Sequence, residues 1–108
     1  SVLFPALLLY IGAAVAEQPE PEFGSAGNPV KTQGKEGTRE YIDNLDCENG
    51  AIPEYKHESS AKVGPSGKKL DKYIMRCEAD SVQIFAIYLD PNHAKTDTRP
   101  VKGFTSWL

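Results

Sequence analysis

Cys47 and Cys77 are the only two cysteines of this chain, so one intramolecular disulfide is the only pairing open to it. Closing a loop of that length stabilises a fold by roughly 3–4 kcal/mol on the chain-entropy view. A core built from a few dozen residues is marginal without such a staple. No histidine pattern flanks either cysteine, so the pair does not read as a zinc site, and a structural role is expected. Neither a metal nor another cofactor is expected.

A persistent disulfide needs an oxidising compartment, and the N-terminal sequence points to one. Ser1 to Ala16 carry no charge, run apolar from Val2 to Ile11, and end in the small residues Ala14-Val15-Ala16. This is the pattern of a secretory signal with an A-x-A cleavage site. The run is shorter than the roughly 20 apolar residues that span a bilayer, and it contains Pro5 and Gly12. Cleavage after Ala16 is therefore expected, with a basic stretch preceding Ser1. The mature product would be secreted, with delivery into a host cell left open and no membrane attachment. No Asn-x-Ser/Thr sequon follows.

The formal net charge of −3 gives no bulk attraction to nucleic acid or anionic lipid. The length fits one domain. From Glu17 to Arg39 the chain is rich in proline and glycine, with Phe23 and Val30 as its sizeable apolar groups, and it reads as a flexible tail. The folded domain is expected over residues 40–108.

Within that domain, Ser81 to Leu89 is rich in β-branched and aromatic residues and apolar at both parities, as expected of a central strand covered on both faces. Lys72 to Cys77 alternates, and the short Glu78-Ala79-Asp80 link makes the two segments an antiparallel hairpin. A strand through Tyr41 to Cys47 would bring Cys47 beside Cys77 on a neighbouring strand. Gly103 to Leu108 reads as a closing edge strand. Pro53 to Val63 opens with proline and acidic residues and stops at Gly64-Pro65, which suits a short helix or an irregular loop. The fold class expected is α+β and β-rich, a small antiparallel sheet stapled by one disulfide with room for one short helix. The alternative is an all-β six-stranded sandwich.

No complete catalytic constellation stands out, and a non-enzymatic protein is expected. The alternative is acid–base chemistry by His57 and His93, with Glu54 as carboxylate and Arg76 as phosphate clamp, the inventory of a metal-free ribonuclease. Lys56, Lys62, Lys68, Lys69, Lys72 and Arg76, interleaved with Tyr55 and Tyr73, could follow a phosphate backbone. A solvated lysine-rich loop is the plainer reading. The Asp90 to Pro100 loop is long for a strand connection and, together with an exposed sheet edge that pairs through main-chain hydrogen bonds, suits a binding surface. Asp90 and Asp97 offer too few oxygens for calcium. Tyr73, Arg76, Lys95, Arg99 and Trp107 are the expected partner contacts, because aromatic and arginine side chains dominate interface energetics. The expected partner is a protein, with RNA as the weaker candidate, and the chain is expected to be a monomer.

Signal, flexible mature N-terminus, single disulfide and β-rich remainder together resemble the small secreted effectors of plant-pathogenic fungi. Leu45-Asp46-Cys47-Glu48-Asn49-Gly50-Ala51-Ile52-Pro53-Glu54 is similar to the early Tyr-x-Cys region of the ribonuclease-like effectors, which are related to the guanyl-specific fungal ribonucleases. Tyr55-Lys56-His57 has the spacing of the Tyr-x-His pair that carries one catalytic histidine in those enzymes. The later glutamate, arginine and terminal histidine have no counterpart in order, so the resemblance implies a scaffold without catalysis. The stretch from Tyr73 to Leu89 equally resembles the MAX effectors, six-stranded sandwiches with one disulfide. Either resemblance implies a virulence protein that binds a host macromolecule to modulate defence.

Overall fold

Alternation along two long strands decides where the core lies. In the computed structural model, which describes residues 19–108, the strand Asp71–Glu78 buries Met75 and Cys77, and the strand Val82–Asp90 buries Ile87 and Leu89. These odd-numbered positions share one face of the sheet. The expected signal peptide lies outside the described residues.

In chain order the elements are β1 (Val30–Lys31), α1 (Gly34–Asp43), β2 (Leu45–Cys47), β3 (Glu54–Glu58), β4 (Asp71–Glu78), β5 (Val82–Asp90) and β6 (Phe104–Ser106). A four-stranded sheet has the order β1-β5-β4-β3, and β2 pairs with β6 in a separate two-stranded sheet. The β4–β5 hairpin is antiparallel from Glu78 opposite Val82 to Asp71 opposite Leu89. β3 joins β4 antiparallel, whereas β1 joins the end of β5 in parallel, Val30 opposite Leu89. Among the described residues the fold is α+β, with one short helix and one disulfide.

α1 turns Gly37, Thr38, Tyr41 and Ile42 inward, a spacing that places them on one helical face. Tyr41 and Ile42 join Met75, Ile87 and Leu89 in the core. Two polar contacts fix the helix. The Thr32 and Thr38 hydroxyls share a buried 2.6 Å hydrogen bond, and the Tyr41 hydroxyl donates to the Arg99 carbonyl at 2.5 Å. Burial pushes the Tyr41 pKa well above the usual phenol value.

The Cys47–Cys77 disulfide forms as expected. Its strands are not hydrogen-bonded neighbours: Cys47 sits in β2 and Cys77 in β4, so the bond ties the two-stranded sheet to the four-stranded one.

Five expectations need correction. Residues 19–39 are not a tail, because Val30 and Thr32 are fully buried and the helix begins at Gly34. Tyr41 lies in that helix and not in a strand with Cys47. Pro53 to Val63 contains β3 in place of a helix, since Tyr55 pairs with Met75 across the sheet and its hydroxyl donates to Asp43 at the end of α1. β5 is not covered on both faces along its length, since Val82 is 52% and Ile84 60% exposed on its outer face. A six-stranded sandwich is excluded by the helix and by the division of the strands into sheets of four and two.

Candidate functional site

Strand parity separates the residues of the acid–base alternative. His57, Tyr73 and Ile87 lie opposite one another across three strands on the inner face, while Glu54, Arg76 and Ile84 do so on the outer face. Arg76 donates to Glu54 at 3.0 Å and lies 2.5 Å from Glu78, contacts that raise its already high pKa. His93 lies beyond the end of β5, where Nε2 is 3.0 Å from the Asp90 carboxylate. His57, His93, Glu54 and Arg76 thus occupy three separate environments and do not converge on one reacting atom.

His57 has a setting of its own. Its ring stacks on Tyr73 with centroids 4.9 Å apart, and Nε2 is 3.6 Å from Asp71. Together with Lys35, Glu36 and Arg39 of α1, these residues line a groove of about 440 Å³. Burial raises the Tyr73 pKa, and the hydrogen bond to Asp43 raises that of Tyr55. The groove offers two cationic side chains, two carboxylates, an imidazole and an aromatic ring.

The expected partner contacts do not form one surface either. Tyr73 lines the inner groove, whereas Arg76 belongs to the outer face. Trp107 is 77% exposed beside the two-stranded sheet, its indole N–H donating to Asp46. Lys95 is exposed in the loop after β5, and Arg99 covers the Phe23 ring with its guanidinium 3.9 Å from the centroid. That loop is a clamp more than a free binding surface. Thr96 Oγ1 accepts from the Gln33 N–H, the Asp97 carboxylate accepts from the Lys31 N–H, and the Asp97 N–H donates to the Lys31 carbonyl. Lys56 and Lys72 approach Glu58 across the outer face, while Lys62, Lys68 and Lys69 are exposed in the β3–β4 connection. Among the described residues no group of three histidine, cysteine, aspartate or glutamate side chains could hold a metal, and no helix is long and apolar enough to cross a membrane.

The exposed sheet edge expected to bind a partner belongs in part to β5, the strand whose composition marks it as central. The Tyr88 N–H turns away from β4 and donates to the Gly24 carbonyl at 2.8 Å. Gly24 has φ +93°, and a Cβ there would lie 2.6 Å from Val101, so only glycine brings the backbone this close. In an antiparallel strand every second residue turns its N–H and C=O the same way. Val82, Ile84 and Ala86 therefore present theirs outward, and no strand pairs with them among the described residues. A cavity of about 330 Å³ runs along this edge between Phe23, Ile84, Phe85, Ile87 and Val101. The other edge of the sheet is guarded, since β3 carries Glu54, Lys56, His57 and Glu58.

The edge carries no charged side chain from Val82 to Ala86 and lies beside a groove, so what it presents is chiefly unpaired backbone N–H and C=O groups. No protein-family model, curated protein or solved structure matches this chain.

Proposed function

We propose that this chain is a secreted, non-enzymatic effector that binds a host protein by accepting an extended segment of it along the free edge of β5. The observation that carries the reading is the unpaired backbone from Val82 to Ala86. Strand addition supplies affinity through main-chain hydrogen bonds and selectivity through alternate side chains. An uncharged edge left open is otherwise an aggregation liability. The apolar leader, the single disulfide and the resemblance to fungal effectors support secretion and a host target.

Ile84→Pro removes one outward N–H without touching the β4 ladder, because edge positions facing solvent tolerate proline. Host proteins retained by the wild-type chain and lost with Ile84→Pro are then purified and titrated, with amide exchange followed at Val82, Ile84 and Ala86. The reading expects those three amides to become protected in the complex. A partner that binds with the amides still exchanging, or that Ile84→Pro and Ala86→Pro retain equally, overturns it. So does the absence of any protein that distinguishes wild type from variant.

A second reading rests on the groove formed by His57, Tyr73, Lys35 and Arg39, which suits stacking of a base beside a phosphate. It predicts RNA binding without cleavage, weakened by Lys35→Ala and Arg39→Ala and falling steeply with salt. Salt-independent or absent RNA binding in a titration removes it.

A further inference from the structure

We infer that the segment taken up by β5 has basic residues at the positions facing the core side and β-branched apolar residues at the positions between them. This rests on the strand-addition reading and specifies the partner's chemistry. The free edge spans Val82 to Ala86, about 17 Å at the usual rise per residue, so it takes a segment of about five residues. Residues of an added strand that lie opposite Val82, Ile84 and Ala86 point to the outer face, as those three do. There Val82 and Ile84 are more than half exposed, and β-branched neighbours pack against them best.

Residues opposite Gln83 and Phe85 point instead to the inner side, where a second cavity of about 330 Å³ is lined by Glu22, Glu48, Gln83, Phe85, Lys102 and Gly103. Two carboxylates face one ammonium in that lining. Neither Glu22 nor Glu48 has an ion-pair partner among the described residues. The Phe85 ring, set edge-to-face on Phe104 at 4.8 Å, keeps part of its surface open to the cavity. A guanidinium entering here meets unpaired carboxylates and an aromatic face together. An acidic side chain meets two like charges.

The test uses the disulfide-bonded protein and two labelled peptides that read the same in both directions, so that strand orientation does not enter. One is Thr-Val-Arg-Val-Arg-Val-Thr and the other Thr-Val-Glu-Val-Glu-Val-Thr. Fluorescence anisotropy should show the basic peptide binding about tenfold more tightly at low salt, with the difference shrinking as salt rises. The double variant Glu22→Lys with Glu48→Lys, whose fold is checked by its circular dichroism and melting, should reverse the order. Ile84→Pro should weaken both peptides. Equal binding of the two peptides, both lost with Ile84→Pro, overturns the basic preference and leaves strand addition standing. Binding of neither, or binding that ignores Ile84→Pro, overturns strand addition itself. A concentration-dependent dimer that Ile84→Pro abolishes and neither peptide disrupts would make a second copy the occupant and overturn the inference.

Discussion

Asp90 is 1% exposed and carries a charge, which elementary electrostatics forbids unless the carboxylate is well satisfied. Burial raises its pKa, but hydrogen bonds from Ser66, from the Asn92 side chain and backbone, and from His93 outweigh it and hold the carboxyl at about 2, below the ordinary 3.8. The distances are 2.7 Å from Ser66, 2.7 and 3.1 Å from Asn92, and 3.0 Å from His93. A depressed carboxylate pKa means stability that is fully present above the unfolded value and lost as pH falls through the folded one. Asp90 should therefore contribute about 2 kcal/mol that disappears between about pH 4 and pH 2. Urea unfolding across that range should show the loss in wild type and its absence in Asp90→Asn. At neutral pH, Asp90→Ala should cost about 2–3 kcal/mol, because it strands several donors at once. Equal midpoints for wild type and variant at pH 7 would remove Asp90 from the stabilising network. Nothing in Leu89-Asp90-Pro91-Asn92 marks the aspartate as buried. The turn residues were legible, but the partner Ser66 is a long-range contact that no local pattern encodes.

At the scale of elements, α1 and the loop after β5 approach each other closely enough to invert an ordinary rule. Alanine in place of glycine inside a helix usually stabilises by about 1 kcal/mol. Gly37 is inside α1, yet a Cβ there would collide with the Thr96 Oγ1 that accepts from the Gln33 N–H. Gly37→Ala should therefore lower the unfolding midpoint in wild type, and in a Thr96→Ala background the same substitution should raise it. A stabilising Gly37→Ala in both backgrounds would show that the helix and loop have room to separate. This contact also explains why α1 was illegible. Its sequence, Gly-Lys-Glu-Gly-Thr-Arg-Glu-Tyr-Ile-Asp, has two glycines, no side-chain cap and few apolar groups, so propensity and periodicity both fall short. Its stability comes from Tyr41 and Ile42 in the core and from the Thr32–Thr38 and Tyr41–Arg99 bonds. The inward spacing of Gly37, Thr38, Tyr41 and Ile42 was present, but a domain boundary drawn at residue 40 cuts through it. The β4–β5 hairpin was legible, because alternation, aromatic content and a three-residue link all agree. β3 was misread because five exposed or half-exposed residues carry no apolar period; only pairing with β4 makes them a strand. The candidate edge at Val82 to Ala86 was hidden for a related reason, since a strand covered on one face and one covered on two have the same apolar composition here.

Across the whole molecule, the disulfide cross-links two sheets that share one apolar core, in which Leu45, Cys47 and Phe104 lie with Met75, Cys77 and Ile87. β2 and β6 pair through three residues each, and the contacts that hold them include Phe104 on Phe85 and the Trp107 N–H to the Asn44 carbonyl. β4 and β5, by contrast, pair over eight positions each. Removing the cross-link by Cys47→Ser with Cys77→Ser, or by reduction, should cost roughly 3–4 kcal/mol on the chain-entropy view. That is a large part of the stability available to a domain of this size. The loss should not fall evenly. Sheets of such unequal extent open at different free energies once uncoupled, so the amides of β2 and β6 should exchange first in the reduced protein. Those of β4 and β5 should exchange only with global unfolding. Hydrogen exchange with and without reductant measures both. If all strands lose protection together, the two sheets form one cooperative unit without the cross-link. If β2 and β6 open alone, the β5 edge survives reduction while the cavity closed by Gly103 and Lys102 beside β6 does not. Strand pairing by the edge would then persist in a reducing compartment, while discrimination between basic and acidic segments would require the intact disulfide.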